Sequence, residues 1–397
     1  MAGEQTGAIR PGEPAAATRI RELLAERTST KPGEWHLVFK ARHGMRVVMD
    51  AIAADAPKAE VATQLFTCCT AVDPITAAGL TPVFGDISPE TLSLDVATLP
   101  VSEKTAAVML QHTCGLMSAA DETLAQTAHA AGAIVLEDCA HCVGRMAVGA
   151  DGRPLADVSF HSFGVEKMLP THFGGAVWVS PAFARTELGT AVTERLLGLP
   201  ELDERLAKAA RSYLNQMRVL NHLPAGASKA LRKKLTDRGA LEPAVAAQER
   251  AGKVSGEPAK PSAWVCETAL AALAGLGANE ARRSVAVAAY ADAFKGKGGV
   301  RVPAAAMATD AGPLLRFPVF VEGEAAADEA IQRVCAVGHY ATAWYREPLY
   351  PGATDLAAYG LNGSWEAWPK TTAACEGAVS LPCDVTPEQA AAIAALF

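Results

Sequence analysis

The sequence predicts a three-layer α/β fold: a mainly parallel β-sheet covered by helices on both faces, with a small α+β domain at the C-terminus. Three observations carry this reading. Short apolar runs alternate with helical patterns from about residue 35 to 180, as strands buried on both faces do. The chain has 397 residues, enough to bury the large core that such a fold needs. Polar residues, His112 and Asp138, close two of the apolar runs, and carboxyl ends of parallel strands are where an open α/β sheet carries its chemistry.

Residues 1–20 are rich in Gly, Ala and Pro and read as an N-terminal arm, with a helix over 17–27. Residues 35–40 read as a strand, 41–45 as a turn and 46–54 as a helix. Strand patterns follow at 61–66, 82–86, 106–112, 134–138 and 176–180. Helices are expected at 71–79, with Gly79 as a C-cap signal, and at 118–132. Residues 186–260 break the alternation. They are helix-rich and charged, read as an insertion, and end in a loop over 252–261. Helices at 265–276 and 280–293 complete a large domain spanning 36–293, after an arm and helix over 1–35. Residues 294–397 form the small domain, with a strand at 314–321, a helix at 328–337 and a last helix near Thr386, where Pro387 takes the first helical position.

Half the residues are hydrophobic and a fifth are charged, an ordinary globular composition. The net charge of −7 argues against nucleic acid as a partner, since phosphate backbones need a basic face. The basic cluster Arg232-Lys233-Lys234 reads as a solvated helix face. No run of eighteen apolar residues appears, so no membrane span is expected, and the start of the chain lacks a signal-peptide pattern; a cytoplasmic location is expected. Nine scattered cysteines read as reduced thiols. Cys139-Ala-His-Cys142 has C-x-x-C spacing, but no second ligand pair of matching spacing accompanies it, and no metal is expected.

Lys167 lies 29 residues after Asp138. An amine able to form a Schiff base and a carboxylate able to hold a pyridinium nitrogen are what pyridoxal 5'-phosphate (PLP) requires of a protein. The surrounding residues are Glu137-Asp138-Cys139-Ala140-His141, then Ala156-Asp157, then His161-Ser162-Phe163-Gly164-Val165-Glu166-Lys167, then Gly174-Gly175-Ala176. This series resembles the DegT/StrS family of PLP-dependent sugar aminotransferases, whose pattern is E-D-A-A-[QH], G-D, F-S-F-x-x-x-K and G-G-[AG]. The motifs are specific over about 36–185 and weaker over 261–397, where Val379-Ser-Leu-Pro-Cys383 resembles a late L-P turn.

The resemblance implies a fold of the aspartate-aminotransferase type (fold-type I). It makes Lys167 the covalent anchor of PLP and its proton shuttle, and Asp138 the partner of the ring nitrogen. It sets His141 near the ring oxygen or phosphate, and Ser162 on the phosphate. The phosphate turn at the start of the first sheet helix reads Arg42-His43-Gly44-Met45, a departure from the family's G-T-x-A-L; the role passes to backbone at Gly44 and Met45, with Arg42 or His43 as side-chain help. Cys68 stands where the family has a ring-stacking aromatic, so Cys68 packs on the ring or Phe66 replaces the stack. The family's N-x-R-M, whose Asn reaches the partner subunit's phosphate, is absent; Lys260 and Ser262 stand in its place. Arg316 is suited either to an amino donor's carboxylate or to a structural salt bridge.

The resemblance implies transfer of an amino group from glutamate or glutamine to a keto sugar, nucleotide-linked by family habit, or else to a keto-cyclitol, in a homodimer. Two alternatives stay open: another fold-type I reaction such as a lyase or dehydratase, and a non-catalytic regulatory protein on the same fold.

Overall fold

The computed structural model describes residues 10, 12–55 and 60–397. In chain order its elements are α1 (Ala15–Thr28), β1 (Trp35–Val38), α2 (Ala41–Asp55), β2 (Glu60–Gln64), α3 (Cys69–Ala77), β3 (Thr81–Gly85), β4 (Thr105–Gln111), α4 (Ala120–Ala130), β5 (Ile134–Cys139), β6 (Val158–Ser162), β7 (Gly175–Val179), α5 (Glu187–Leu197), α6 (Glu204–His222), α7 (Ala225–Asp237), α8 (Ala263–Ala274), α9 (Leu276–Phe294), α10 (Ala304–Met307), β8 (Arg316–Phe320), α11 (Gly323–Ala336), α12 (Pro369–Gly377), β9 (Ala378–Pro382) and α13 (Pro387–Ala394).

Seven strands form one sheet in the order β1-β7-β6-β5-β4-β2-β3. The block from β6 to β3 is parallel, while β7 runs antiparallel to both β6 and β1. The period-2 pleat gives each face its own core. On β4, Ala107 and Met109 join the cluster under α2 and α3, while Val108 and Leu110 join the cluster under α4. Trp35 and Trp178 pack beneath α1, α8 and α9 in a third cluster, which continues into the antiparallel pair β8–β9. A fully buried aromatic or branched side chain contributes about 1.5–3 kcal/mol, so these clusters outweigh any single polar term.

Three differences from the sequence reading have physical causes. α2 begins at Ala41, five residues before the expected start, because Gly44 is a helix residue and not a turn. A Cβ on Gly44 would sit 2.3 Å from Val177 Cγ2, so the glycine lets α2 lie close on β7. Val158–Ser162 is a strand that the chemical motif had masked, and Ala378–Pro382 is a strand where a turn was expected. Of the expected arm, residues 1–9 and 11 lie outside the described residues, and 15–20 belong to α1.

The parallel register brings Gln111, Asp138 and Phe160 side by side near the carboxyl edge. Gly175, at the start of β7, pairs with both Ser162 and Val38 and lies under the start of α2. A Cβ there would stand 2.8 Å from the Ala41 N and 2.8 Å from the His161 O, both backbone atoms that cannot step aside. Gly175→Ala is therefore expected to lower stability by about 1–3 kcal/mol through overpacking. Denaturant unfolding measures it; an unchanged midpoint would show that α2 yields freely at this edge.

Candidate active site

A cavity of about 550 Å³ opens at this carboxyl edge. Its floor is held by buried polar groups. Gln111 Nε2 donates to Thr113 Oγ1 (2.8 Å), and the Thr67 hydroxyl donates to Gln111 Oε1. Below it, His112 Nε2 donates to Glu137 Oε1 (2.8 Å) and His112 Nδ1 to the Leu116 carbonyl (3.0 Å). Glu137 also accepts from Ala147 N (2.6 Å) and from the Ser159 hydroxyl. Burial opposes a charge on His112, but Cys142 and the bond to Glu137 outweigh it, and its pKa rises to about 10. Burial likewise opposes the Glu137 carboxylate, yet His112 and Ser159 bring its pKa below the usual value. Donor atoms of His112, Glu137 and Cys139 lie within 4.8 Å of one another. With both Glu137 oxygens engaged, the cluster reads as a hydrogen-bonded ion pair.

Lys167 sits on the β6–β7 loop and lines the cavity. Thr171 Oγ1 donates to the Phe163 carbonyl (2.5 Å) and Asn279 Nδ2 to the Met168 carbonyl (2.8 Å), so the loop is tied on both sides of the lysine. Burial lowers the Lys167 pKa, and Cys68 and Asp138 oppose the shift. A lowered pKa increases the neutral, nucleophilic amine. Its Nζ lies 5.7 Å from the centre of the Trp344 ring.

Asp138 accepts from Ala140 N (2.9 Å) through one oxygen. Burial raises its pKa, and the Ala140 N–H and Lys167 oppose the shift. It is a buried acid that a further cation would stabilise. His141 Nδ1 accepts from Cys114 N (3.0 Å), which places the ring proton on Nε2, 3.2 Å from the Tyr345 hydroxyl. Burial, then Lys167 and Arg316, hold the His141 pKa well below the usual value, so the ring is neutral. The rings of His141, Trp344 and Tyr345 lie nearly parallel, within 19° of one another, and form one aromatic shelf.

Ser162 closes β6 and its Oγ accepts from Gly164 N (3.2 Å). Met45, Cys68 and Ser162 line the cavity; the side chain of His43 turns away to the Ser255 carbonyl (3.1 Å), and Gly44 faces Val177. The first turn of α2 lines the cavity instead through Ala41 and Arg42, where the N–H groups of a helix start lie outside the i→i−4 ladder. Cys68 precedes the first residue of α3 and accepts from Thr70 Oγ1 (3.1 Å). Its thiol pKa falls to about 6, through the Cys69 thiol first and Thr70 next, against burial. Phe66 packs edge-on to Tyr345 (5.5 Å) and does not line the cavity.

Several wall residues had no sequence signal. Trp344 and Tyr345 arrive from almost 180 residues beyond Lys167 and lie in no recognised motif. The insertion supplies Tyr213, Met217, Arg232 and the stretch 241–245. Its carboxylates reach two cations at the cavity: Lys40 Nζ meets Glu242 Oε1 (2.5 Å), and Arg42 Nη1 meets Glu249 Oε2 (2.6 Å). Lys260 bonds loosely to Glu201 (3.9 Å), and Ser262 caps α8; neither lines this cavity.

A lysine, a carboxylate, a histidine and a serine at these four positions on one carboxyl-edge cavity decide the comparison. Residues 38–185 match the DegT/DnrJ/EryC1/StrS aminotransferase family. A pleiotropic regulatory protein of Geobacillus stearothermophilus is 34% identical over 126 residues, 31% of this chain and 34% of that one. A GDP-perosamine synthase of Caulobacter vibrioides is 32% identical over 123 residues, 30% of this chain and 33% of that one. The matches thus span about a third of the length of these curated relatives. The structure of 3-amino-5-hydroxybenzoic acid synthase superposes with a TM-score of 0.69 at 18% identity, covering 99% of this chain and 94% of that one. The likeness is one of fold, and among the described residues it agrees with the three-layer α/β architecture expected from the sequence. Among the described residues, no helix is long and apolar enough to cross a membrane.

The His112–Glu137 pair makes stability depend on alkaline pH. The folded pKa of His112, about 10, lies above the roughly 6.5 of a free histidine, so its contribution is full below 6.5 and disappears as pH rises through 10. The unfolding free energy of the wild type should fall across that window. His112→Asn should flatten the fall and cost about 3–5 kcal/mol at neutral pH, because Glu137 is left buried and unpaired. Parallel pH slopes for the two proteins would refute the pairing.

Proposed function

We propose that the chain is a PLP-dependent aminotransferase, moving an amino group from an amino acid, glutamate or glutamine, to a nucleotide-linked keto sugar. The observation that carries this is the meeting of Lys167 and Asp138 on the wall of one cavity, with Ser162 and the start of α2 on the same wall. The donor set suits the cofactor. Asp138 is a buried acid short of a cation, which a protonated ring nitrogen supplies. Ser162 Oγ and the first turn of α2 offer a hydroxyl donor and a positive dipole end to a phosphate. When bound, PLP supplies an electron sink for the carbon that loses its proton.

The protein's own residues do the rest. Lys167 Nζ, its pKa lowered by burial, holds the cofactor and then takes and returns the substrate proton; such general acid–base help contributes on the order of 10²–10⁴-fold. Asp138 holds a positive charge on the ring nitrogen. His141, neutral and fixed by the Cys114 N–H, keeps the Tyr345 hydroxyl oriented. Trp344, Tyr345 and Tyr213 wall the cavity with rings and exclude water.

A second reading, a regulatory protein without turnover, has one observation in its favour: Lys40 and Arg42, the cations nearest the start of α2, are already paired with Glu242 and Glu249. The regulatory name of the Geobacillus relative agrees with it. Turnover with a panel of keto sugars separates the two. For the first reading, borohydride should fix the cofactor to Lys167, read by peptide mass, and Asp138→Asn should keep the cofactor while slowing the donor half-reaction by about 10²-fold or more. Labelling of another lysine, or an unslowed Asp138→Asn, would count against it.

We also infer a two-fold homodimer, the commonest closed assembly. Because the insertion walls the cavity within one chain, mass in solution with and without PLP is the informative measurement. A monomer at full cofactor occupancy would end the dimer proposal.

A further inference from the structure

α7 has no buried residue and lies outside residues 38–185, which match the family. Its charge is one-sided. Lys229, Arg232, Lys233 and Lys234 stand against Asp237, which Lys233 binds (2.7 Å), in a chain whose net charge is −7. Sequence alone reads Arg232-Lys233-Lys234 as a solvated face, and Lys233 and Lys234 are exposed in that way. Arg232 departs from it. It lines the cavity beside Tyr213 and Met217 of α6. Its hydrogen bond goes to the thioether of Met217 (3.5 Å), a weak acceptor.

The other cations of this wall are already engaged. Lys40 is paired with Glu242 and Arg42 with Glu249, and Lys167 is the amine proposed to hold the cofactor. Arg232 forms no ion pair with any described residue. Glu166, an exposed carboxylate of the same wall, accepts from the Tyr340 hydroxyl (3.4 Å). Burial raises the pKa of the Tyr213 hydroxyl and Arg232 opposes the shift, so the field of the guanidinium is felt within the wall. Arg232 is itself exposed, and so stands where the cavity meets water.

A guanidinium at the rim of a cavity, without a counter-ion, suits an anion, and its fork of N–H donors suits phosphate. In the proposed reaction the phosphate of the cofactor has its own donors at Ser162 and α2. The remaining phosphates are those of the acceptor. With its keto carbon at Lys167, a nucleotide-linked sugar carries its diphosphate away from the reacting carbon, toward the rim. Lys229 stands one turn before Arg232, exposed, and i, i+3 neighbours on a helix have Cβ atoms about 5–6 Å apart. We infer that α7, through Arg232 with Lys229 beside it, binds the diphosphate of the acceptor. This rests on the reading of the acceptor as nucleotide-linked. It makes Arg232 a specificity determinant that separates nucleotide-linked keto sugars from free ones, placed on a helix that the family match does not include.

The test is calorimetric titration of pyrophosphate and of uridine, guanosine and thymidine diphosphates into the cofactor-bearing protein. The proteins compared are the wild type, Arg232→Lys, Arg232→Gln and, as a control, Lys295→Gln, which removes an exposed cation away from the cavity. The wild type should bind at least one of these diphosphates. Arg232→Gln should weaken that binding by about tenfold or more, through loss of a charge-assisted contact. Arg232→Lys, with a point charge but no fork, should fall between, and Lys295→Gln should match the wild type. In turnover with a nucleotide-linked keto sugar, Arg232→Gln should raise KM for the acceptor while kcat holds, as loss of binding common to ground and transition states does. It should also melt with the wild type, since no carboxylate is left unpaired. Wild-type affinity in Arg232→Gln, an equal loss in Lys295→Gln, or no binding of any probe by the wild type overturns the inference. The cofactor absorbance at Lys167 is the control for the reading beneath it. Its absence sinks the aminotransferase proposal, whereas its presence with unaltered diphosphate binding sinks only the role of α7.

Discussion

The cavity depends on one buried charge pair, His112 with Glu137. Glu137 draws hydrogen bonds from His112, from the Ala147 N–H and from Ser159, so a single carboxylate ties the ends of β4, β5 and β6 together. Asp138 is the next residue along β5, and in a strand the next residue points to the opposite face. Fixing Glu137 below the sheet therefore fixes Asp138 above it, on the cavity wall. Replacing a whole buried pair by packed apolar side chains is often neutral, because desolvation offsets most of the attraction. The value of this pair is register: a slip of one residue in β5 would turn Asp138 to the face below the sheet and Glu137 toward the cavity.

The second constraint is the treatment of positive charge. Lys40, Arg42 and Lys167 all line the cavity, and burial opposes the charge of each. Two of them are neutralised from the insertion, by Glu242 and Glu249. Tyr213, Leu220 and Leu241 of the same insertion pack with Phe39 and Phe173 in a core of their own. The insertion is thus joined to the sheet edge both by apolar burial and by carboxylates. Lys167 makes no such ion pair; Cys68 and Asp138 act on its charge only through their fields, against a burial that lowers its pKa.

Much of this was legible in the sequence, for identifiable reasons. Strand–helix alternation is a local signal, and it located β1 to β5 to within a few residues. The Asp138, His141, Ser162 and Lys167 positions were legible because each sits in a short motif, and all four meet on the cavity wall. Gly44 misled, because a glycine that permits close helix–sheet contact looks the same in sequence as one that makes a turn. Trp344 and Tyr345 were illegible because their meeting with His141 depends on how β8, β9 and the loop before Tyr350 fold back, a non-local event with no periodic trace. The pairing of Arg42 with Glu249 joins residues some 200 positions apart and left no trace either.

Cys68 stands where the resemblance leads one to expect an aromatic ring. The aromatic expected there would supply apolar area to one side of the cavity. In this chain His141, Trp344 and Tyr345 line the cavity as a shelf, their ring centres within 6.2 Å of one another. Cys68 is instead a thiol at the start of α3, accepting from Thr70 and facing the positive field of Lys167 and Arg42. A helix start and two cations favour a thiolate. The thiolate in turn opposes the loss of the Lys167 proton. A sulfur at this place thus couples the ionisation of Lys167 to a second group, which an aromatic ring could not do. Any measured pKa of the Lys167 amine belongs to that pair and not to the lysine alone.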